Sequence, residues 1–299
     1  MTVKAVISLA TGSLAVLLLG LAGTAAFAQT GREVVNCFDA ALGTVQKTLA
    51  GDCSGEVITD DEAAAVRQER RDYIQKILSK APHPDVRGKQ LASLGSGFFV
   101  AGDGSVVTSH HVVADCAAVS ITPTFGEMKL ATKVVSQADI DLALLRTDIA
   151  APGIANLITG DGPAVLGSAF VIGYPNQGLV TIEPVLTSVE VLGRERNTPR
   201  GPAIVLRGDI RRGNSGGPLL DSGGNVVGVV FAKVDSVNVY QATGQAVREI
   251  GLASPGEVLQ AFLKDQGIDY QTAQGGFPQP EDRILEEARP FLAQIGCWR

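Results

Sequence analysis

The stretch Asp209-Ile210-Arg211-Arg212-Gly213-Asn214-Ser215-Gly216-Gly217-Pro218-Leu219-Leu220, DIRRGNSGGPLL, decides how the chain is read. Its glycines exclude a helix interior, and the closing leucine pair reads as the start of a strand. The segment is therefore either a tight turn between two strands or a turn that presents a reactive serine, Ser215. A serine hydroxyl is a poor nucleophile until a base takes its proton, and the base works best when a carboxylate fixes its tautomer. The rest of the chain must say whether such partners exist.

On both sides of this stretch, from Leu91 to about Leu252, short apolar or alternating runs are separated by glycine, asparagine, aspartate and proline. "GSGFFV", "AVSITPT", "DLALLR", "SAFVIGY" and "NVVGVVFA" are examples. Many short strands with hairpin turns such as Gly102-Asp103-Gly104 predict an all-β sandwich or barrel pair. Ahead of it, "DDEAAAVRQERRDYIQKILSK" carries Val66, Tyr73, Ile74, Ile77 and Leu78 at helical spacing, with Asp60 or Asp61 able to cap the start. This predicts an amphipathic helix within an N-terminal extension, residues 29–90, ending in a linker at Ala81 to Lys89. Beyond Ser254-Pro255, "PGEVLQAFLKDQGI" and "PEDRILEEARPFLAQIG" read as helices, the second broken at Pro290, so residues 254–299 are expected to form a helical tail.

The chain opens with one lysine, an apolar run and Ala26-Phe27-Ala28, the order of a secretory signal peptide cleaved after residue 28. A periplasmic or secreted location follows, with no later stretch of membrane-spanning length. Cleavage removes Lys4 and moves the formal net charge from -6 to -7. Without a lysine and arginine stripe on this acidic background, nucleic acid is not an expected partner. The arginines of "RQERR", Arg67 to Arg71, read as a solvated helix face. Four cysteines after an export signal suggest two disulfides. Three connectivities are possible and the sequence alone does not choose between them; the expected one pairs Cys37 with Cys53, closing a local loop, and Cys116 with Cys297, pinning the tail to the body. No cysteine or histidine pair has metal-ligand spacing, so no metal is expected.

The chain has three histidines. His83 sits between prolines in the linker and reads as exposed. His110 and His111 close "GSVVTSHHVV" at the end of an apolar strand, well placed to face a cleft. Asp141 directly begins the strand "LALLR", while Asp139 lies one step further into the turn. In the serine stretch, Gly213 allows its own N–H and that of Ser215 to point at one spot, the geometry of an oxyanion hole. Gly216 and Gly217 leave room for a substrate backbone.

Together, Gly95-Ser96-Gly97-Phe98, "TSHHVV", "DLALLR", "GSAFVIGYP" and "GNSGGPLL" resemble the trypsin-like serine proteases, most closely the HtrA or Deg type. The resemblance runs from about Leu91 to Gly251. It implies two Greek-key β-barrels, about 91–160 and 161–253, within a protease domain at 91–253. It implies His111 as general base, Asp141 as its orienting partner, Ser215 as nucleophile, and the Gly213 and Ser215 amides as oxyanion hole. The family pattern favours His111 over His110 because the histidine precedes the two valines. The implied reaction is peptide-bond hydrolysis through an acyl-enzyme, on protein or peptide substrates, with no metal or cofactor.

The chain also departs from family patterns. Digestive relatives carry aspartate before the serine and pair it with a cleaved N-terminus; here Asn214 implies activity without that step. The tail is too short and helical for the PDZ domain usual in HtrA proteases. Asp209, six positions before the serine, is a candidate for the base of the primary pocket, where a carboxylate favours basic residues; Arg207, Arg211 and Arg212 could neutralise it. The alternative to an exported endopeptidase is a catalytically silent or chaperone-like binding module on the same fold, and a third reading is an esterase using the same triad.

Overall fold

A computed structural model of the chain describes residues 33–40, 43–79 (backbone alone over 74–79), 86–159, 167–175 and 183–299. The expected signal peptide, His83 and the side chains of Ile74, Ile77 and Leu78 fall outside the described residues.

The N-terminal extension is not helical throughout, as the sequence led us to expect. It begins with an antiparallel sheet of β1 (Val34–Asp39), β2 (Thr44–Leu49) and β3 (Glu56–Ile58), with β1 in the centre. Short strands are marginal without a hydrophobic face or a staple. Here a Cys37–Cys53 disulfide, with Cα atoms 5.5 Å apart, ties the central strand to the turn before β3. Helix α1 (Asp60–Ser79) follows. Its cap is Thr59 rather than Asp60 or Asp61: the Thr59 N–H donates to Glu62 Oε2 at 2.9 Å, and the Glu62 N–H donates to Thr59 Oγ1 at 3.3 Å. This reciprocal pair is the capping box of a Thr-x-x-Glu sequence. The module docks on the second barrel through Arg248 to Asp52 at 2.6 Å and Arg211 to Asp39 at 3.4 Å.

Two curled sheets form the body. The first is built from β4 (Leu91–Ala101), β5 (Ser105–Ser109), β6 (Ala118–Pro123), β7 (Lys129–Leu130), β8 (Lys133–Gln137) and β9 (Leu142–Arg146), with the single turn α2 (His110–Val113) after β5. The second contains β10 (Asn156–Ile158), β11 (Ser168–Gly173), β12 (Val185–Thr198), β13 (Gly201–Arg207), β14 (Pro218–Leu220), β15 (Val226–Lys233) and β16 (Ile250–Pro255), with α3 (Ser236–Thr243) after β15. Its order runs β14-β11-β12-β13-β16-β15, where a β14 to β15 pairing closes the ring, and continues through β10, parallel to β15. These are the two barrels that the sequence pattern implied. β11 is buried on both faces: Ala169 and Val171 enter the second core, and Phe170 and Ile172 the cluster that fills the first barrel and the seam. Alternation with both faces apolar is what a strand shared between two packed layers requires.

The helical tail expected over residues 254–299 also needs correction. After α4 (Gly256–Asp265), β17 (Gln271–Ala273) and α5 (Glu281–Ala288), residues Leu292–Trp298 form β18. This strand lies inside the first sheet, whose order is β7-β6-β18-β4-β5-β9-β8, antiparallel to both neighbours. Without it, β4 and β6 would each present an unpaired edge, which β18 satisfies by hydrogen bonding to both. Its Leu292, Ala293, Ile295, Cys297 and Trp298 are buried. Trp298 Nε1 donates to Ser120 Oγ at 2.9 Å, and a Cys116–Cys297 disulfide fixes the end of the strand. The body therefore does not stop at residue 253. The helix pattern ended at Pro290, where the ring removes a donor, and the apolar run behind it is a strand.

Candidate active site

β5 ends at Ser109, and the single turn α2 swings His111 to the mouth of the groove between the barrels. Its position is set by Asp141 at the start of β9. The His111 N–H donates to Asp141 Oδ1 at 2.9 Å, and His111 Nδ1 lies 2.7 Å from Asp141 Oδ2. The Asp141 side chain is 1% exposed and that of His111 is 35% exposed. A carboxylate accepts only, so Nδ1 carries the proton and Nε2 is left as the acceptor. Asp141 holds this arrangement with φ at 52°, in the left-handed region where aspartate is among the few non-glycine residues seen. Strain of this kind collects at functional sites.

His110, the other candidate base, is turned away: its Nδ1 meets Ser136 Oγ on β8 at 3.0 Å. Asp139 is exposed.

The serine turn, Asp209 to Gly217, is clamped to both barrels. The Ser96 N–H on β4 donates to the Ser215 carbonyl at 2.8 Å, and Ser96 Oγ donates to the Gly213 carbonyl at 2.6 Å. On the far side, the Gly216 N–H donates to the Val230 carbonyl at 2.7 Å, and Ser109 Oγ, beside the histidine turn, donates to the same carbonyl at 3.2 Å. One set of hydrogen bonds thus joins the histidine side to the serine side. Gly216 has φ at 84°, and a Cβ there would run into the Ser96 carbonyl and Thr108 Oγ1, so a larger residue would push the barrels apart. Gly213 has φ at 100°. Among the described residues, its N–H and that of Ser215 have no acceptor, leaving both free for a ligand. His111 and Ser215 line the same cleft, about 1280 Å³ in volume.

Asn214 is buried and turned inward, its Oδ1 accepting from the Arg211 N–H at 3.0 Å. Asp209 does not reach the cleft with Ser215. Its side chain is 45% exposed and ion-paired with Arg211 at 2.5 Å, so the expectation of an anionic pocket base loses its support. The cause is local: Arg211, two residues on, folds back over the carboxylate.

Arg200 was not singled out in the sequence. It sits at the tip of the β12–β13 hairpin and donates to Asp141 Oδ2 at 2.7 Å, so one carboxylate oxygen serves both His111 and a guanidinium. Arg200 stays 3.4 Å from His111 Nδ1, a near approach between two donors, and its guanidinium lies 5.8 Å from the centre of the Phe231 ring. No group of three or more metal-ligating side chains occurs among the described residues, and no described helix is long and apolar enough to cross a membrane.

Residues 95–229 match the family model of the trypsin-like peptidase domain. Over 167 residues the chain is 33% identical to a serine protease of Mycobacterium tuberculosis, covering 53% of this chain and 39% of that one. It is 30% identical over 176 residues to a probable periplasmic serine endoprotease, DegP-like, of Chlamydia trachomatis, covering 56% and 35%. It is 32% identical over 215 residues to an uncharacterized protein of Sinorhizobium fredii, covering 69% and 32%. The chain thus spans about a third of the length of these curated relatives. A single-residue variant of the HtrA-type protease AlgW, solved with a tripeptide, superposes with a TM-score of 0.50 at 24% identity, covering 58% of this chain and 55% of that chain.

Proposed function

We propose that this chain, whose residues 95–229 are a trypsin-like peptidase domain, is an exported serine endopeptidase that hydrolyses peptide bonds in proteins of the cell envelope. The observation that carries the reading is the buried Asp141 carboxylate bonded to both the backbone and the Nδ1 of His111, in the cleft that also holds Ser215. In this reading residues 1–28 direct export, residues 29–90 form an accessory module and the catalytic body follows.

His111 Nε2 takes the proton of Ser215 Oγ as the oxygen attacks the substrate carbonyl carbon. The carbonyl oxygen gains the electron pair and is received by the Gly213 and Ser215 amides, donors without other partners among the described residues. The imidazolium is stabilised by Asp141 and returns the proton to the leaving amine. Water, deprotonated by the same histidine, then attacks the acyl carbon, and the imidazolium returns that proton to Ser215 Oγ as the carbon–oxygen bond breaks and the acid leaves. Asn214 supports activity without a new N-terminus, because its side chain already closes the turn onto Arg211.

The test is cleavage of an unfolded protein such as casein by the full chain and by Ser215→Ala. The expected outcome is loss of at least about 10³-fold in the variant. Equal cleavage by both would refute the assignment, and hydrolysis of small esters without peptides would redirect it to an esterase.

A further inference from the structure

The cleft that contains His111 and Ser215 is not lined by the barrels alone. Its outer wall is the N-terminal module, through β2 and α1. That wall brings Lys47, Arg67, Arg70 and Arg71 to the groove against a single acid, Asp72. The barrel side adds Arg212 and Lys233 against Asp235, beyond Arg200 and Arg211, which carboxylates already engage. The helix face that reads as solvated in the sequence therefore looks into the catalytic groove.

Three observations make this charge available to a ligand. Arg67 and Arg71 bond to neutral acceptors, Asn36 Oδ1 at 3.1 Å and Gln68 Oε1, which satisfy hydrogens without cancelling charge. Lys47, Arg70, Arg212 and Lys233 have no side-chain partner among the described residues. Arg70 is also partly buried, and burial pushes its guanidinium below the ordinary arginine value. A cation held out of water without a counter-charge costs free energy, which a bound anion would return. The chain as a whole carries a net charge of -6, so these cations are concentrated against the general background. A groove lined by one sign of charge focuses field and raises the local concentration of the opposite sign.

We propose that the N-terminal module is a specificity wall, and that the endopeptidase selects polypeptide segments carrying aspartate or glutamate beside the scissile bond. The inference rests on the serine-peptidase reading, since that reading makes the occupant of the groove a polypeptide. A bound acidic segment would pair its carboxylates with Lys47 and Arg70 on the outer wall while the scissile carbonyl lies at Ser215. Such contacts act through long-range attraction and register as much as through final affinity, so the preference weakens as salt is added.

The experiment uses the full chain bearing Ser215→Ala, which binds without cleaving, and two labelled peptides that differ only in having glutamate or glutamine around the central bond. Fluorescence anisotropy is expected to give roughly tenfold tighter binding of the glutamate peptide at low ionic strength. Adding Lys47→Gln and Arg70→Gln should remove most of that difference. Because Arg70 is partly buried, the exposed pair Lys47→Gln and Lys233→Gln is measured beside it, with a smaller loss expected. Equal binding of the two peptides, a preference that survives both double variants, or displacement of the peptide by a single-stranded oligonucleotide at lower concentration than by unlabelled glutamate peptide would each overturn the proposal. A chain that binds the acidic peptide but cleaves no polypeptide and whose serine resists fluorophosphonate would instead remove the peptidase reading and leave the basic groove standing.

Discussion

Asp141 carries the heaviest demands of any residue in the site. It is almost fully buried, holds a left-handed backbone angle, and accepts from the His111 N–H, His111 Nδ1 and Arg200. Burying a carboxylate is unfavourable unless its lone pairs are filled, and three donors fill them here. Asp141→Asn would present an amide N–H to Nδ1 and force the wrong tautomer. We expect kcat to fall by about 10⁴-fold with the fold intact by circular dichroism. Arg200 acts one step further out, fixing the carboxylate that fixes the imidazole. Arg200→Ala is expected to lower kcat about tenfold with KM little changed, and Arg200→Lys to restore part of it. A change confined to KM would place Arg200 in substrate binding instead. The approach of Asp141 to His111, in a cleft shared with Ser215, was legible in the sequence because each residue lies in a short motif beside a strand. Arg200 was not, since it meets Asp141 from 59 positions away and only the length of the β12–β13 hairpin brings it there.

At the scale of elements, the first barrel depends on β18. This strand pairs with β4 and β6 along its length, and Cys116–Cys297 closes a loop of 181 positions at its end. Replacing both cysteines by serine should destabilise the protein by about 2–5 kcal/mol, read from urea midpoints under oxidising conditions, with β18 gaining the fastest hydrogen exchange. The seam between the barrels has its own titration. Burial above all pushes the Tyr174 phenol up to about 12 from 10.0; its hydrogen bond to Thr124, 2.7 Å long, acts the other way. The raised value means that the folded state keeps its proton longer than the unfolded state. Stability from this group is therefore complete below pH 10 and is lost as pH rises towards 12. Tyr174→Phe should flatten the decline of urea midpoints across that window. β18 and the N-terminal sheet escaped the sequence reading for a shared reason. Short apolar runs such as "FLAQIGCW" and "VVNCFD" fit a strand as well as the end of a helix, and only a partner strand decides. The partners of β18 lie far away along the chain.

Across the whole molecule, the groove that holds His111 and Ser215 lies between two barrels and beneath a third, disulfide-bonded module. The barrels were legible because turns and apolar runs recur at strand spacing from Leu91 onward. The place of the module at the groove was not, because β2 and α1 come to line it with Ser215 only in the folded chain. Charge is segregated in the same way, with cations gathered at the groove of an acidic protein. If Ser215 is the activated nucleophile proposed above, the mass of the full chain must change on exposure to a fluorophosphonate. One adduct per chain is expected, mapped to Ser215 by peptide mass spectrometry and lost in His111→Ala. No adduct, or an adduct at Ser215 that persists without His111, would contradict it.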